Sequence, residues 1–138
     1  MSGEPVTASA ASAFAARCDA VEEAYEFMLA YAAQGLPNEQ GSTSGSQIRD
    51  FLRKCDQALD GLGDAAGRAT RETSAGDPSA YEAFVEVLDR DARNARAAVR
   101  LVLAQPSIAS QVVDNLNASS HLRAVLTDLF LLDEILKR

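Results

Sequence analysis

Few side chains in this sequence are suited to catalysis or metal binding, and they do not cluster. His121 is the only histidine, and the two cysteines, Cys18 and Cys55, lie 37 positions apart. Structural zinc needs four clustered Cys or His ligands. Carboxylate-bridged metal centres in helical bundles use Glu-x-x-His on two helices, and the residue three before His121 is Ala118. No nucleophile motif brings a Ser or Cys to the histidine. The Gly/Ser-rich stretch over residues 38–46 is not followed by the Gly-Lys-Ser/Thr of a phosphate loop. The expectation is therefore no catalytic residue, no metal and no cofactor. His121 is then an ordinary residue near a helix start, and both cysteines are free thiols packed as small hydrophobes. Asn117-Ala118-Ser119 matches a glycosylation acceptor, which is a chance match in a chain whose start shows no basic and apolar leader.

Charge offers a second kind of chemistry. Arg90, Arg93, Arg96 and Arg100 recur along one side of a helical segment in an otherwise acidic chain. Arginine presents a bidentate fork to phosphates and carboxylates. Glu86–Arg90 and Asp89–Arg93 are acid-first i,i+4 pairs, which occupy two of the four. Arg96 and Arg100 are left as candidates for an acidic partner. Asp56, Asp60 and Asp64 recur every four residues and read as a solvated acidic face.

Apolar side chains that fall outside the inward stripes offer a third. Leu122, Val125, Leu126, Leu129, Leu132 and Leu136 form one face of the last segment, and Leu131 and Ile135 point to nearly the opposite side. Phe27 and Tyr31 similarly widen the apolar sector of the first segment. Such residues mark contacts, and bundles of this size often pair through them. The partner-binding candidates are Leu131, Ile135, Phe27, Tyr31, Arg96 and Arg100, with a homodimer expected.

The elements that position these residues are helices. Alanine, the best helix former, supplies 26 of 138 positions. Apolar steps of three and four predict a helix from Ser9 to Gln34, with Phe14, Cys18, Val21, Tyr25, Met28, Leu29 and Ala32 inward and a stop at Gly35 and Pro37. A polar loop over residues 38–46 leads to a second helix near Ser46, carrying Ile48, Phe51, Leu52, Cys55, Leu59 and Leu62. Gly61, Gly63 and Gly67 then either break that helix or let a neighbour approach closely. Ser74 to Asp77 is a break. Asp77-Pro78 starts a third helix that runs to about Ala104, and Pro106 ends it. Ser107 caps a short helix with Ile108, Val112 and Leu116 inward. The last helix runs from about Ser120. The predicted fold is all-α: an antiparallel helical bundle of four main segments, the fourth broken into a short and a long helix, in one domain over residues 9–138 after a flexible start at 1–8.

Composition limits the function classes. Hydrophobic residues make up 47% and charged residues 24%, the balance of a chain with a buried core. No apolar run approaches the roughly 20 residues of a membrane span. A net charge of −7 argues against nucleic acid and anionic membranes as partners. Arginine outnumbers lysine 11 to 2, which suggests a GC-rich bacterial genome. These features point to a small acidic cytoplasmic interaction protein, adaptor, chaperone-like or regulatory, that is not an enzyme. The alternative is a ligand- or cofactor-binding bundle with an inter-helix pocket lined by Phe14, Tyr25, Met28, Phe51, Tyr81 and Phe84.

Overall fold

The computed structural model describes residues 9–73 and 76–137. The expected flexible start at residues 1–8 and part of the break between the second and third segments lie outside the described residues. Among the described residues the chain is an all-α bundle of six helices: α1 (Ala10–Ala33), α2 (Thr43–Leu59), α3 (Leu62–Thr73), α4 (Pro78–Leu103), α5 (Ser110–Ala118) and α6 (Ser120–Leu136). One cluster of buried side chains joins them. α1 packs against α2, α3 and α5, while α4 packs against α2, α3 and α6.

The helix ends follow local chemistry. Ser9 caps α1 by accepting from the Ser12 amide. The Glu72 carboxylate, at the end of α3, accepts from the Ala10 and Ala11 amides at 2.9 and 3.2 Å. An acid belongs there because a helix start carries unpaired N–H donors and the positive end of its dipole. α2 begins at Thr43, three residues before the expected Ser46. The Ser42 hydroxyl accepts from the Gly45 amide at 2.9 Å, and this cap outweighs the polar composition of Thr43 to Ser46.

Of the two alternatives left open at the glycines, both occur. Gly61 takes a left-handed φ of 71°, so the second segment ends at Leu59 and restarts at Leu62. Arg17 donates to the carbonyls of Ala58 and Asp60 and so satisfies this helix end. Gly63 lies where α3 meets α4 closely. A Cβ there would sit 2.3 Å from Asp89 Oδ1 and 2.4 Å from Asp89 Cβ.

Two inward faces are rotated from expectation. On α1 the buried set is Phe14, Cys18, Val21, Ala24, Met28 and Tyr31. Leu29, expected inward, is 46% exposed. α1 is covered by α5 on the Tyr31 side, which turns Leu29 outward. On α5, Val113 is buried and Val112 is exposed. That helix starts at Ser110 with no side-chain cap, later than expected from Ser107. The reason is that Ile108 is engaged elsewhere. Its amide donates to Glu39 at 2.8 Å, and its carbonyl accepts from the Tyr31 hydroxyl at 2.6 Å.

Candidate functional site

Charged stripes on neighbouring helices come first. Arg96 Nε donates to Asp56 Oδ1 at 2.8 Å, and Arg96 Nη1 lies 3.2 Å from Asp60 Oδ1. Arg100 Nε lies 3.8 Å from the same Asp56 oxygen. The arginine side of α4 is therefore laid on the aspartate side of α2. This corrects two expectations, that Arg96 and Arg100 lack partners and that Asp56 is solvated. Asp56 has only 17% of its side chain exposed. Arg93 pairs with Asp89 at 2.9 Å as its spacing predicts. The stripe that looked available for an acidic ligand is largely occupied by the chain's own acids.

Tyr31 and Phe27 are also taken up internally. Tyr31 is fully buried, and its backbone carbonyl accepts from the Ser110 hydroxyl at 2.6 Å. Its expected place outside the inward stripe is corrected, because α5 covers that side of α1. Phe27 is half-buried and stacks on Phe51, with ring centroids 4.1 Å apart and planes at 8°. Lys54 completes this patch: its Nζ lies 5.8 Å from the Phe51 ring and donates to Glu23 Oε1 at 2.6 Å.

Leu131 and Ile135 do face outward. They are 51% and 42% exposed, and Phe130 beside them is 47% exposed. The three lie on the C-terminal half of α6. The opposite face of α6 buries Leu122, Val125, Leu126, Leu129 and Leu132, as the periodicity predicts. Single exposed apolar residues are ordinary, but Leu131 and Ile135 one turn apart, with Phe130 next to Leu131, form a patch. On the N-terminal half of the same helix, a shallow recess of about 480 Å³ is lined by Ala118, Ser120, Arg123, Ala124, Thr127 and Asp128.

Asp128 was not singled out from sequence. It is 8% exposed, and its Oδ2 has no hydrogen-bond donor. Burial, followed by the facing carboxyl of Asp91 on α4, pushes its pKa up to about 7. Burial disfavours the charged form of Asp128, and a second carboxyl facing it adds to that cost. The signal available in the sequence was position, since Asp128 lies three residues after Val125 and four before Leu132.

A cleft of about 450 Å³ opens between α3 and α4, with Thr70, Arg71, Tyr81, Glu82, Val85 and Glu86 among its walls. Of the six residues expected to line an inter-helix pocket, Tyr81 alone borders it. Phe14 and Met28 are fully packed in the core, and Phe51 is stacked on Phe27.

The remaining chemistry-bearing residues stand apart from these features. His121 is exposed in the first turn of α6. Cys18 and Cys55 are free and buried, and burial pushes both thiols up to about 12. A thiol so placed supplies little thiolate for nucleophilic attack. Asn117 is buried, and its Nδ2 donates to the Met28 carbonyl at 3.1 Å. No helix among the described residues is long and apolar enough to cross a membrane. Comparison with models of protein families, with curated proteins and with solved structures gives no match.

Proposed function

We propose that this chain is a non-enzymatic interaction protein that binds other proteins through the outer face of α6. The observation that carries the reading is the exposure of Leu131 and Ile135 on one helix face, with Phe130 exposed at its edge. Fully burying a Leu or Ile side chain is worth about 1.5–3 kcal/mol, so a partner helix gains from covering all three. The other sequence candidates contribute less to such a face. Tyr31 is in the core, Phe27 is stacked within the chain, and Arg96 and Arg100 already meet Asp56. The reading places the protein in the cytoplasm of a bacterium. Two free buried thiols suit a reducing compartment.

The test is photo-crosslinking in cells. A photoreactive residue in place of Leu131 is expected to give discrete protein adducts. The same residue in place of Asn115, exposed on α5, is expected to give none. No adduct from position 131, or the same adducts from both positions, would remove the reading.

The α3–α4 cleft supports a second reading, a small-ligand binder, because its volume lies within the usual range for such sites. Tyr81 and the carboxylates of Glu82 and Glu86, which outnumber the Arg71 guanidinium in the same wall, would favour a compact amine with an apolar body. Saturation-transfer NMR with phenethylamine and phenylacetate distinguishes the cases. Contact by the amine alone, abolished by Tyr81→Ala, supports this reading, and no contact by either removes it.

A further inference from the structure

We infer that the occupant of the α6 face is a second copy of α6, packed antiparallel about a two-fold axis that passes near residue 128. This rests on the interaction reading above and names the partner. One helix carries both halves of the contact: projecting side chains at Phe130, Leu131 and Ile135, and a shallow recess over Ser120, Arg123, Ala124 and Thr127. Along the outer face, Ser120, Ala124, Thr127 and Leu131 follow one another in steps of four, three and four. That is the spacing of a helix–helix seam.

An antiparallel two-fold lying in the contact plane reverses the helix direction and keeps each lateral edge on its own side. It therefore brings the projecting half of each helix over the recessed half of the other. Leu131 meets the second copy's Ala124, Phe130 meets its Thr127, and Ile135 meets its Ser120. The midpoints of these three pairs all fall between residues 127 and 129, so a single register satisfies them together.

Charge selects the same register. Arg123 and Glu134 lie on the same lateral edge of the outer face, both exposed, and their midpoint also falls between residues 127 and 129. The two-fold sets each Glu134 against the second copy's Arg123, twice per dimer. Arg123 makes no ion pair among the described residues. Glu134 has an interaction within its own chain, and a carboxylate accepts from several donors at once. A parallel pairing would instead place Arg123 on Arg123 and Glu134 on Glu134 and leave the recess empty.

The experiment is sedimentation equilibrium on the purified full chain, with circular dichroism as the check on folding. The wild type is expected to be a reversible dimer. Arg123→Glu and Glu134→Arg should each weaken the dimer by about tenfold, because each reversal turns two attractions into two repulsions. Combining the two reversals should restore most of the affinity, since the charges are then exchanged across the same contact. Leu131→Glu with Ile135→Glu should give a folded monomer. A wild type that is monomeric at about 1 mM overturns self-pairing, while adducts from position 131 to other proteins would leave the interaction reading standing. A dimer that survives every one of these changes places the interface elsewhere. A double reversal no tighter than either single one overturns the antiparallel register.

Discussion

Buried polar groups are handled in opposite ways in two regions of the bundle. Where the α1–α2 and α4–α5 connections meet, Glu39 accepts from Arg49 Nε and Nη2, both at 2.8 Å, and from the Ile108 amide at 2.8 Å. Arg49 also donates to the carbonyls of Leu103 and Gln105 at 2.9 and 2.7 Å. Beside it, the Ser110 hydroxyl bridges the Tyr31 carbonyl and the Leu36 amide. Donors and acceptors match there, and the Arg49 fork holds the Glu39 carboxyl below the usual carboxylate range. In the α4–α6 seam, two acids face each other and one oxygen has no donor. The first region sets where the connections run. The second is a place where the fold tolerates a poorly matched buried group, in the wall of the shallow recess on α6.

The largest effect should come from breaking the matched region. Glu39→Ala strands a mostly buried guanidinium and an amide, and should cost about 3 kcal/mol in urea unfolding. A loss below about 1 kcal/mol would show that water replaces the carboxylate without difficulty and would erase the contrast. The seam should respond in the other direction. The folded-state pKa of Asp128 is raised from 3.8 to about 7, so folding takes up a proton over that interval. This contribution is favourable below the unfolded value and is lost as pH rises through about 7. Asp128→Asn, which supplies an amide donor to Asp91, should stabilise the protein at pH 8 by about 1–3 kcal/mol and flatten the thermal midpoint between pH 5 and 8. A wild-type midpoint that does not fall over that range would mean that its surroundings do not raise the Asp128 pKa.

Much of the architecture was legible because it is local. Ser9, Gly35, Asp77-Pro78 and Pro106 act within a few residues of themselves, and the helices begin and end beside them. What was not legible needed two segments at once. The arginine stripe of α4 and the aspartate stripe of α2 are each plain in the sequence, yet nothing in either says that Arg96 lies on Asp56. Tyr31 reads as a side residue until α5 is placed over it. Asp128 reads as a solvated acid until α4 brings Asp91 against it. The outer face of α6 was partly legible, since Leu131 and Ile135 break their own helix's stripe. Phe130 and the recess over Ala124 and Thr127 emerge only from the packed structure.

Smaller changes refine the contrast. Tyr31→Phe keeps the packing and removes one buried hydrogen bond, to the Ile108 carbonyl, so it should cost about 1 kcal/mol in the same unfolding assay. A cost near that of Glu39→Ala would show that the matched region acts as one cooperative unit. At the low end, Leu131→Glu or Ile135→Glu measured on the monomer should change unfolding stability by less than about 0.5 kcal/mol, because neither side chain is needed by the core. A loss of several kcal/mol would make α6 an interior helix in solution and dissolve the distinction between the regions.

The bonds to Ile108 also bear on the order in which the chain can assemble. They join positions separated by 77 and 69 residues along the chain, and contacts this remote carry the loop-closure cost that slows folding. During synthesis, α1 and α2 are complete long before the segment that accepts from Tyr31 and donates to Glu39 exists. Until then the Tyr31 hydroxyl and the Leu36 amide have no native partner, and the apolar faces of the first two helices are open on the α5 side. The first two helices therefore keep part of their apolar surface open until α4, α5 and α6, which pack on them, have been made.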